Sequence, residues 1–326
     1  MIKPVETMKY YSLFFFLLSL FSFSQTENQV FSQDTILIVN AKPEKGFQHS
    51  YILFIPKETP KGKLTYLLVE PNNTGRTSDS ISVHQESALH LASVSSVGNN
   101  IAAMLKIPLL VPVFPRPDSE PLVYTHALDR DVMLEKSKAL KRLDLQLIAM
   151  LNDAHETLKK LDIPTHDKVF MNGFSASGSF TNRFLFLHPE IIKAAAMGGF
   201  NGELMLPLKQ YHNRMFNYPL GTGDFKKLFH KPFDSASYKK IPQYIYMGQL
   251  DTNDAVQFDD AYNDSERKLI NHELGDNVQE RWKVCQSIYT QEGVNARFTT
   301  YEEVGHWTTS AVNMDVIKFF FRQLQE

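Results

Sequence analysis

From Thr35 onward the sequence alternates short apolar runs with longer amphipathic stretches, the pattern of strands separated by helices. Strands are predicted at 35–39, 51–55, 64–69, 109–114, 168–171, 193–197, 243–247 and 297–301. The first three are close enough to pair as a hairpin or meander. Helices are predicted at about 82–105, 134–161, 176–187, 266–291 and 309–325. Parallel strands need crossovers of that length, so the expected class is α/β, with a mixed sheet that starts antiparallel and continues parallel. A chain of 326 residues, 43% hydrophobic and 21% charged, can bury a core of that kind.

Stability must come from that core. Cys285 is the single cysteine, which excludes an internal disulfide, and no Cys/His spacing resembles a zinc site. The net charge of -2, from 34 basic and 36 acidic residues, offers no basic stripe for a phosphate backbone, so nucleic acid is not an expected partner.

Residues 1–24 stand apart from the alternation. Lys3 and Lys9 precede an apolar run at 13–23, almost wholly Leu, Phe and Ser, that is too short to span a bilayer. With Ser22 and Ser24 as small residues before the cut, this reads as a signal peptide cleaved before Gln25, with Met8 as an alternative start. A retained N-terminal anchor helix is the other reading. No cysteine follows for lipid attachment, so the mature domain, 25–326, is expected to be secreted or periplasmic and free of the membrane. A chain of that size tolerates export without a disulfide.

Between 200 and 240 the alternation breaks. Phe200, Tyr211, Phe216, Tyr218, Phe225, Phe229, Phe233 and Tyr238 stand there among Pro, Gly and Lys. The stretch reads as an irregular, cap-like insertion, either packed on the body or closing over a pocket.

The sharpest local signal is the apolar strand that runs into Gly173-Phe174-Ser175-Ala176-Ser177-Gly178 and on into a helix. A nucleophile elbow needs this strand, turn and helix, with small residues two positions either side of a strained serine. Gly173 and Ser177 meet that demand, although Gly is commoner at the second position. Ser175 is therefore the candidate nucleophile, with Ser177 and Ser179 facing or supporting the helix. A serine needs a base, and the base a carboxylate to orient it. Asp251 follows a predicted strand and the turn Gly248-Gln249-Leu250, and His306 follows another strand in Gly305-His306. Both would emerge at the carboxyl edge of the sheet, where such folds build sites. Asp254, three residues further on, is better placed to cap the next segment.

On these residues, together with Leu187-His188-Pro189-Glu190 and Ala194-Ala195-Ala196, the chain from about residue 51 onward resembles the α/β-hydrolase superfamily, in particular its secreted esterases and polyester-depolymerase-like group. The resemblance implies an eight-stranded, mostly parallel sheet flanked by helices and a serine acyl-enzyme mechanism. It does not carry a substrate with it. An oxyanion hole is also required, from the N–H after the nucleophile and a second N–H in the loop after the third strand. Ala176 supplies the first. For the second, the polar turn at Pro71-Asn72-Asn73-Thr74-Gly75 lacks the His-Gly-Gly of many relatives and offers Asn73, with Asn72 or Thr74 as alternatives. Asn72-Asn73-Thr74 also matches a glycosylation acceptor, which is discounted.

No phosphate-binding Gly-x-x-x-x-Gly-Lys or His-Glu-x-x-His occurs, and the acidic stretch 251–264 lacks calcium-loop spacing, so neither cofactor nor metal is expected. Residues 124–131 follow the fourth strand and are a candidate pocket entrance. The expectation is an exported serine hydrolase of α/β-hydrolase fold that cleaves a carboxylic ester of a small-molecule or polymeric substrate through Ser175, His306 and Asp251. One alternative is a peptidase of prolyl-oligopeptidase type, for whose propeller the stretch before Tyr51 is expected to be too short. The other is an inactive hydrolase fold kept for binding.

Overall fold

The computed structural model describes residues 30–326 apart from Ser95, so the signal-peptide reading over 1–24 and its cut before Gln25 lie outside the described residues. In chain order the elements are β1 (Thr35–Val39), β2 (Tyr51–Ile55), β3 (Leu68–Val69), α1 (Ile81–Ser93), α2 (Val97–Leu105), β4 (Leu109–Pro112), α3 (Arg130–Leu134), α4 (Leu143–Lys160), β5 (Val169–Phe174), α5 (Ala176–Leu187) and β6 (Ile192–Gly198). They continue with β7 (Gln210–Tyr211), β8 (Arg214–Met215), α6 (Phe225–Phe229), α7 (Ser235–Lys240), β9 (Gln243–Gly248), α8 (Asp264–Leu274), α9 (Val278–Gln291), β10 (Ala296–Tyr301) and α10 (Ser310–Gln325).

Eight strands form one sheet in the order β1-β2-β4-β3-β5-β6-β9-β10, while β7 and β8 make a separate hairpin. The β1–β2 and β2–β4 pairs are antiparallel and the remaining pairs parallel. Only the first two predicted strands pair as a hairpin. The third lies between β4 and β5, each reached through a helical crossover, and is shorter than read. Thr65 N–H donates to Pro164 O, and Leu64 is exposed.

Each strand serves two cores, because successive side chains point to opposite faces. Leu53, Val69, Leu110, Met171, Ala195 and Ile245 join α4, α5 and α9 on one face. Ile52, Leu68, Leu109, Phe170, Ala194 and Tyr244 join α1, α2 and α10 on the other. The helix at 82–105 is two helices, because the Ser96 hydroxyl accepts the Asn99 N–H and starts α2 afresh. The one at 134–161 begins only at Leu143, after Arg142 in the left-handed region at φ 50°. That at 266–291 breaks at Gly275, φ 123°, and Asn277 caps α9. Among the described residues, no helix is long and apolar enough to cross a membrane.

The 200–240 segment is irregular, as read, and its aromatics turn inward. Phe216, Tyr218, Phe225 and Tyr238 are buried, and the Phe186 ring of α5 lies 5.1 Å from Phe233 and 4.0 Å from Tyr238. Tyr218 is held to the body by its phenol on Leu128 O and by Arg130 Nη1 on its own carbonyl. Cys285 of α9 is fully buried, and desolvation pushes its thiol up to about 12.

Candidate active site

Between β5 and α5 the chain turns through Ser175 at φ 61° and ψ −130°, a conformation costly for a residue with a Cβ. The surroundings enforce it. A Cβ on Gly173 would lie 2.2 Å from Ser177 O, and one on Gly178 would lie 2.7 Å from Gly198 O, so strand and helix approach only because both are glycine. Ser175 N–H donates to Gly198 O at 2.9 Å, fastening the turn to β6. Ser177, where glycine is commoner, fits because its hydroxyl closes the turn. It donates to Phe174 O at 2.8 Å and accepts the Phe174 N–H at 2.9 Å.

Asp251 follows β9 in a turn closed by its N–H on Gly248 O at 3.2 Å. Its side chain is 1% exposed, and His306, after β10, places Nδ1 3.0 Å from Oδ2 and 3.2 Å from Oδ1. The other imidazole nitrogen, Nε2, is 3.0 Å from Ser175 Oγ. Donation of Nδ1–H to Asp251 leaves the Nε2 lone pair to accept from the serine hydroxyl. Asn253 N–H donates to Asp251 Oδ1 at 3.0 Å, and the Phe174 ring packs on the imidazole with centroids 5.0 Å apart. Asp254 faces elsewhere, accepting the Val256 N–H at 3.1 Å. The three residues singled out in the sequence thus meet at the carboxyl ends of β5, β9 and β10.

The chain is similar to the solved structure of poly(aspartic acid) hydrolase-1 from Sphingomonas sp. KT-1, with a TM-score of 0.57 and 16% identity over 91% of this chain and 100% of that one. It is also similar to LpqC, a poly(3-hydroxybutyrate) depolymerase from Bordetella parapertussis, at a TM-score of 0.52 and 13% identity over 89% and 91% of the two chains. An S-formylglutathione hydrolase from Agrobacterium tumefaciens gives a TM-score of 0.51 and 10% identity over 91% and 97%. The fold is that of the α/β-hydrolases. No protein-family model matches the sequence, and no curated protein does.

In this α/β-hydrolase fold Ala176 opens α5, so its N–H has no acceptor within the helix. Of the three candidates after β3, Asn73 borders the cleft with Ser175 and His306. Asn72 is buried, its Nδ2 donating to Phe114 O at 2.8 Å and its Oδ1 accepting the Phe114 N–H at 3.1 Å, which pins the loop to the end of β4. That burial removes the amide a glycan would need. Thr74 Oγ1 donates to Arg76 O. Glu70, just before this loop, is buried and accepts from Ser96 Oγ at 2.9 Å and Gly98 N–H at 2.8 Å, and desolvation pushes its carboxyl up to about 7.

Two spaces open from Ser175 in this fold. A narrow inner one of about 30 Å³ is lined by Ser175, Ala176, Ser179, Arg183, Asn201 and Tyr262 among others. An outer cleft of about 730 Å³ runs past His306, Asn73, Arg116, Leu122 and Phe258. The entrance loop at 124–131 contributes Tyr124 and Ala127, whereas His126 is tied to Phe114 O and Asp129 caps α3. Of the 200–240 insertion only Asn201 lines either space, so the idea that its aromatics cap the pocket is corrected: they are spent on the core. The cleft walls come instead from 116–122 and 253–260, which sequence reasoning missed, together with Tyr124 of the expected entrance loop. Ser179, read as facing or supporting the helix, lines the inner space, and Arg183 was missed, although their spacing of four and eight from Ser175 already put them on one helix face.

Proposed function

We propose that the protein is an exported serine hydrolase that cleaves a carboxylic ester through an acyl-enzyme. The observation that carries this reading is the continuous hydrogen-bonded line from Ser175 Oγ through His306 to Asp251, with contacts of 3.0 Å on each side of the imidazole. Ser175 Oγ attacks the ester carbonyl carbon while its proton passes to His306 Nε2. The tetrahedral oxyanion is held by the N–H groups of Ala176 and Asn73. As it collapses, the C–O bond to the leaving alcohol breaks and His306 returns the proton to that oxygen. Water, deprotonated by His306, then attacks the acyl carbon; as the bond to Ser175 Oγ breaks, His306 returns the proton to Oγ and the acyl group leaves as its acid. Asp251 keeps Nδ1 protonated and stabilises the imidazolium, and no cofactor enters any of these steps.

Export rests on Lys3, Lys9, the apolar run at 13–23 and the small residues at Ser22 and Ser24. Hydrolase function gains support from the three similar structures, each a hydrolase or depolymerase by name. A fluorophosphonate probe tests the reading: it should label the wild-type protein and fail on Ser175→Ala, and labelled wild type should lose turnover of p-nitrophenyl esters. An unlabelled, folded wild type would point to the inactive, binding scaffold, and turnover of peptides in preference to esters to a peptidase.

A further inference from the structure

The inner space beside Ser175 is narrow, with a polar side on α5 facing Ala127, Ala255 and Ala261, and it sits on the side away from the histidine. His306 hands its proton to the leaving oxygen, so the leaving group lies in the outer cleft that His306 borders. The inner space borders Ser175 and Ala176 without His306, which makes it the acyl side. Its volume of about 30 Å³ holds roughly two water-sized groups, so few atoms beyond the carbonyl fit.

Its wall is a polar stripe along α5. Ser175, Ser179 and Arg183 are spaced four residues apart, one helical turn each, and all three line the space. Arg183 is buried at the far end, where Nη1 donates to Ala127 O at 2.9 Å and Nη2 to the Tyr262 phenol at 2.8 Å. Tyr262 in turn donates to Glu203, whose Oε2 is 3.8 Å from Arg183 Nη2. The guanidinium already faces a carboxylate, so a second anion would meet Glu203 as well as Arg183. Asn201 adds a carboxamide, its Oδ1 accepting the Ala255 N–H at 3.0 Å. An alkyl chain entering here would touch Ala127, Ala255 and Ala261 but would leave these polar groups without water or a partner.

We infer that Ser179 and Arg183 select esters whose acyl group is two or three carbons long and carries a neutral oxygen next to the scissile carbonyl, with the larger part of the substrate on the alcohol side. This rests on the serine-hydrolase reading above. Ser179, first along the stripe, meets the oxygen. Arg183 fixes the depth of the space and its polarity.

The test is a p-nitrophenyl ester series in which only the acyl group changes: acetate, propionate, glycolate, hexanoate and monomalonate. Each kcat/KM is divided by the ester's own alkaline hydrolysis rate to remove intrinsic reactivity. Glycolate and propionate have the same number of heavy atoms, so their ratio isolates the oxygen. Glycolate should exceed propionate by about tenfold, the worth of one good hydrogen bond in a buried site, and propionate should exceed hexanoate by about 100-fold or more, as a chain too long for its pocket is excluded. Ser179→Ala should bring the glycolate to propionate ratio to within about twofold of one. Arg183→Met is expected to fold poorly, since it leaves Glu203 buried without its cation, and Ser179→Ala carries the test for that reason. Hexanoate turned over as well as propionate, an unchanged ratio in Ser179→Ala, or monomalonate ahead of glycolate would each overturn the inference while Ser175-dependent turnover kept the hydrolase reading intact. No Ser175-dependent turnover of any ester would overturn both.

Discussion

Asp254 Oδ1 lies 2.6 Å from Nη2 of Arg281, a side chain with no exposed surface, although Asp254 is only three residues from the carboxylate that meets His306. The two acids therefore serve different ends. Asp251→Asn should cut kcat by roughly 10⁴ with little change in melting temperature. Asp254→Asn leaves a buried guanidinium with a weaker partner and should cost about 2 to 3 kcal/mol, lowering Tm by about 3 to 5 °C, while kcat changes by a small factor. Steady-state kinetics and thermal melts on the two variants check this, and the reverse ranking would move the catalytic carboxylate to Asp254.

At the elbow, Ser175→Ala should abolish probe labelling and hydrolysis without unfolding the protein. Ser177→Ala removes both hydrogen bonds that close the turn onto Phe174 and should cost on the order of 1 to 3 kcal/mol while labelling persists. Denaturant melts beside labelling gels separate the two effects. Loss of labelling in a folded Ser177→Ala with labelling kept in Ser175→Ala would reassign the nucleophile.

Glu70 makes stability fall as pH rises. Burial favours its neutral form, so between the ordinary value of 4.5 and about 7 the folded chain holds a proton that the unfolded chain has released. Its contribution is complete below that window and lost above it, in total about 3 kcal/mol. Glu70→Gln keeps an acceptor for Gly98 N–H and Ser96 without the charge, so it should melt above wild type at pH 8 and close to it at pH 4. Asp129, pushed up to about 8 by burial, acts in the same direction and leaves a residual slope in the variant. Melting curves across pH 4 to 9 read the difference, and parallel curves for the two proteins would refute it.

Phe225 stands for the insertion. It is buried, with its ring centroid 4.7 Å from Phe229. Phe225→Ala should destabilise by about 3 kcal/mol or more and leave the order of preference among acyl groups unchanged. A changed order at unaltered stability would return the segment to a capping role.

The parts of the site legible in the sequence share one property: each follows a strand and a turn that leaves at the sheet edge. Ser175, Asp251 and His306 all stand there, and topology alone brings them together. The helix breaks were not read from the sequence, although Gly275 and Asn277 carried the cap signal for one of them. Arg142 carries no such signal, because its left-handed backbone is imposed by the packing around it, Nε and Nη2 both bonding to Asp144. Aromatic residues in the insertion misled for a related reason. Large apolar side chains in an irregular stretch indicate burial, but the pattern does not say whether the surface they cover is a core or a ligand. The cleft walls at 116–122 and 253–260 were hidden because their residues, such as Arg116 paired with Asp260 and lying over the Tyr124 ring, become neighbours only in three dimensions.

The burial of Cys285 has a practical side. A thiol shielded from solvent and protonated at neutral pH does not react with maleimides, since the thiolate is the nucleophile. The folded protein therefore accepts a spectroscopic label at any cysteine added to its surface without first removing the native one. Leu122 and Phe258, both exposed and set on the two walls of the outer cleft, are natural places for a pair of such labels. The distance between them would report directly on how far the walls move when an ester or its acyl-enzyme occupies the site.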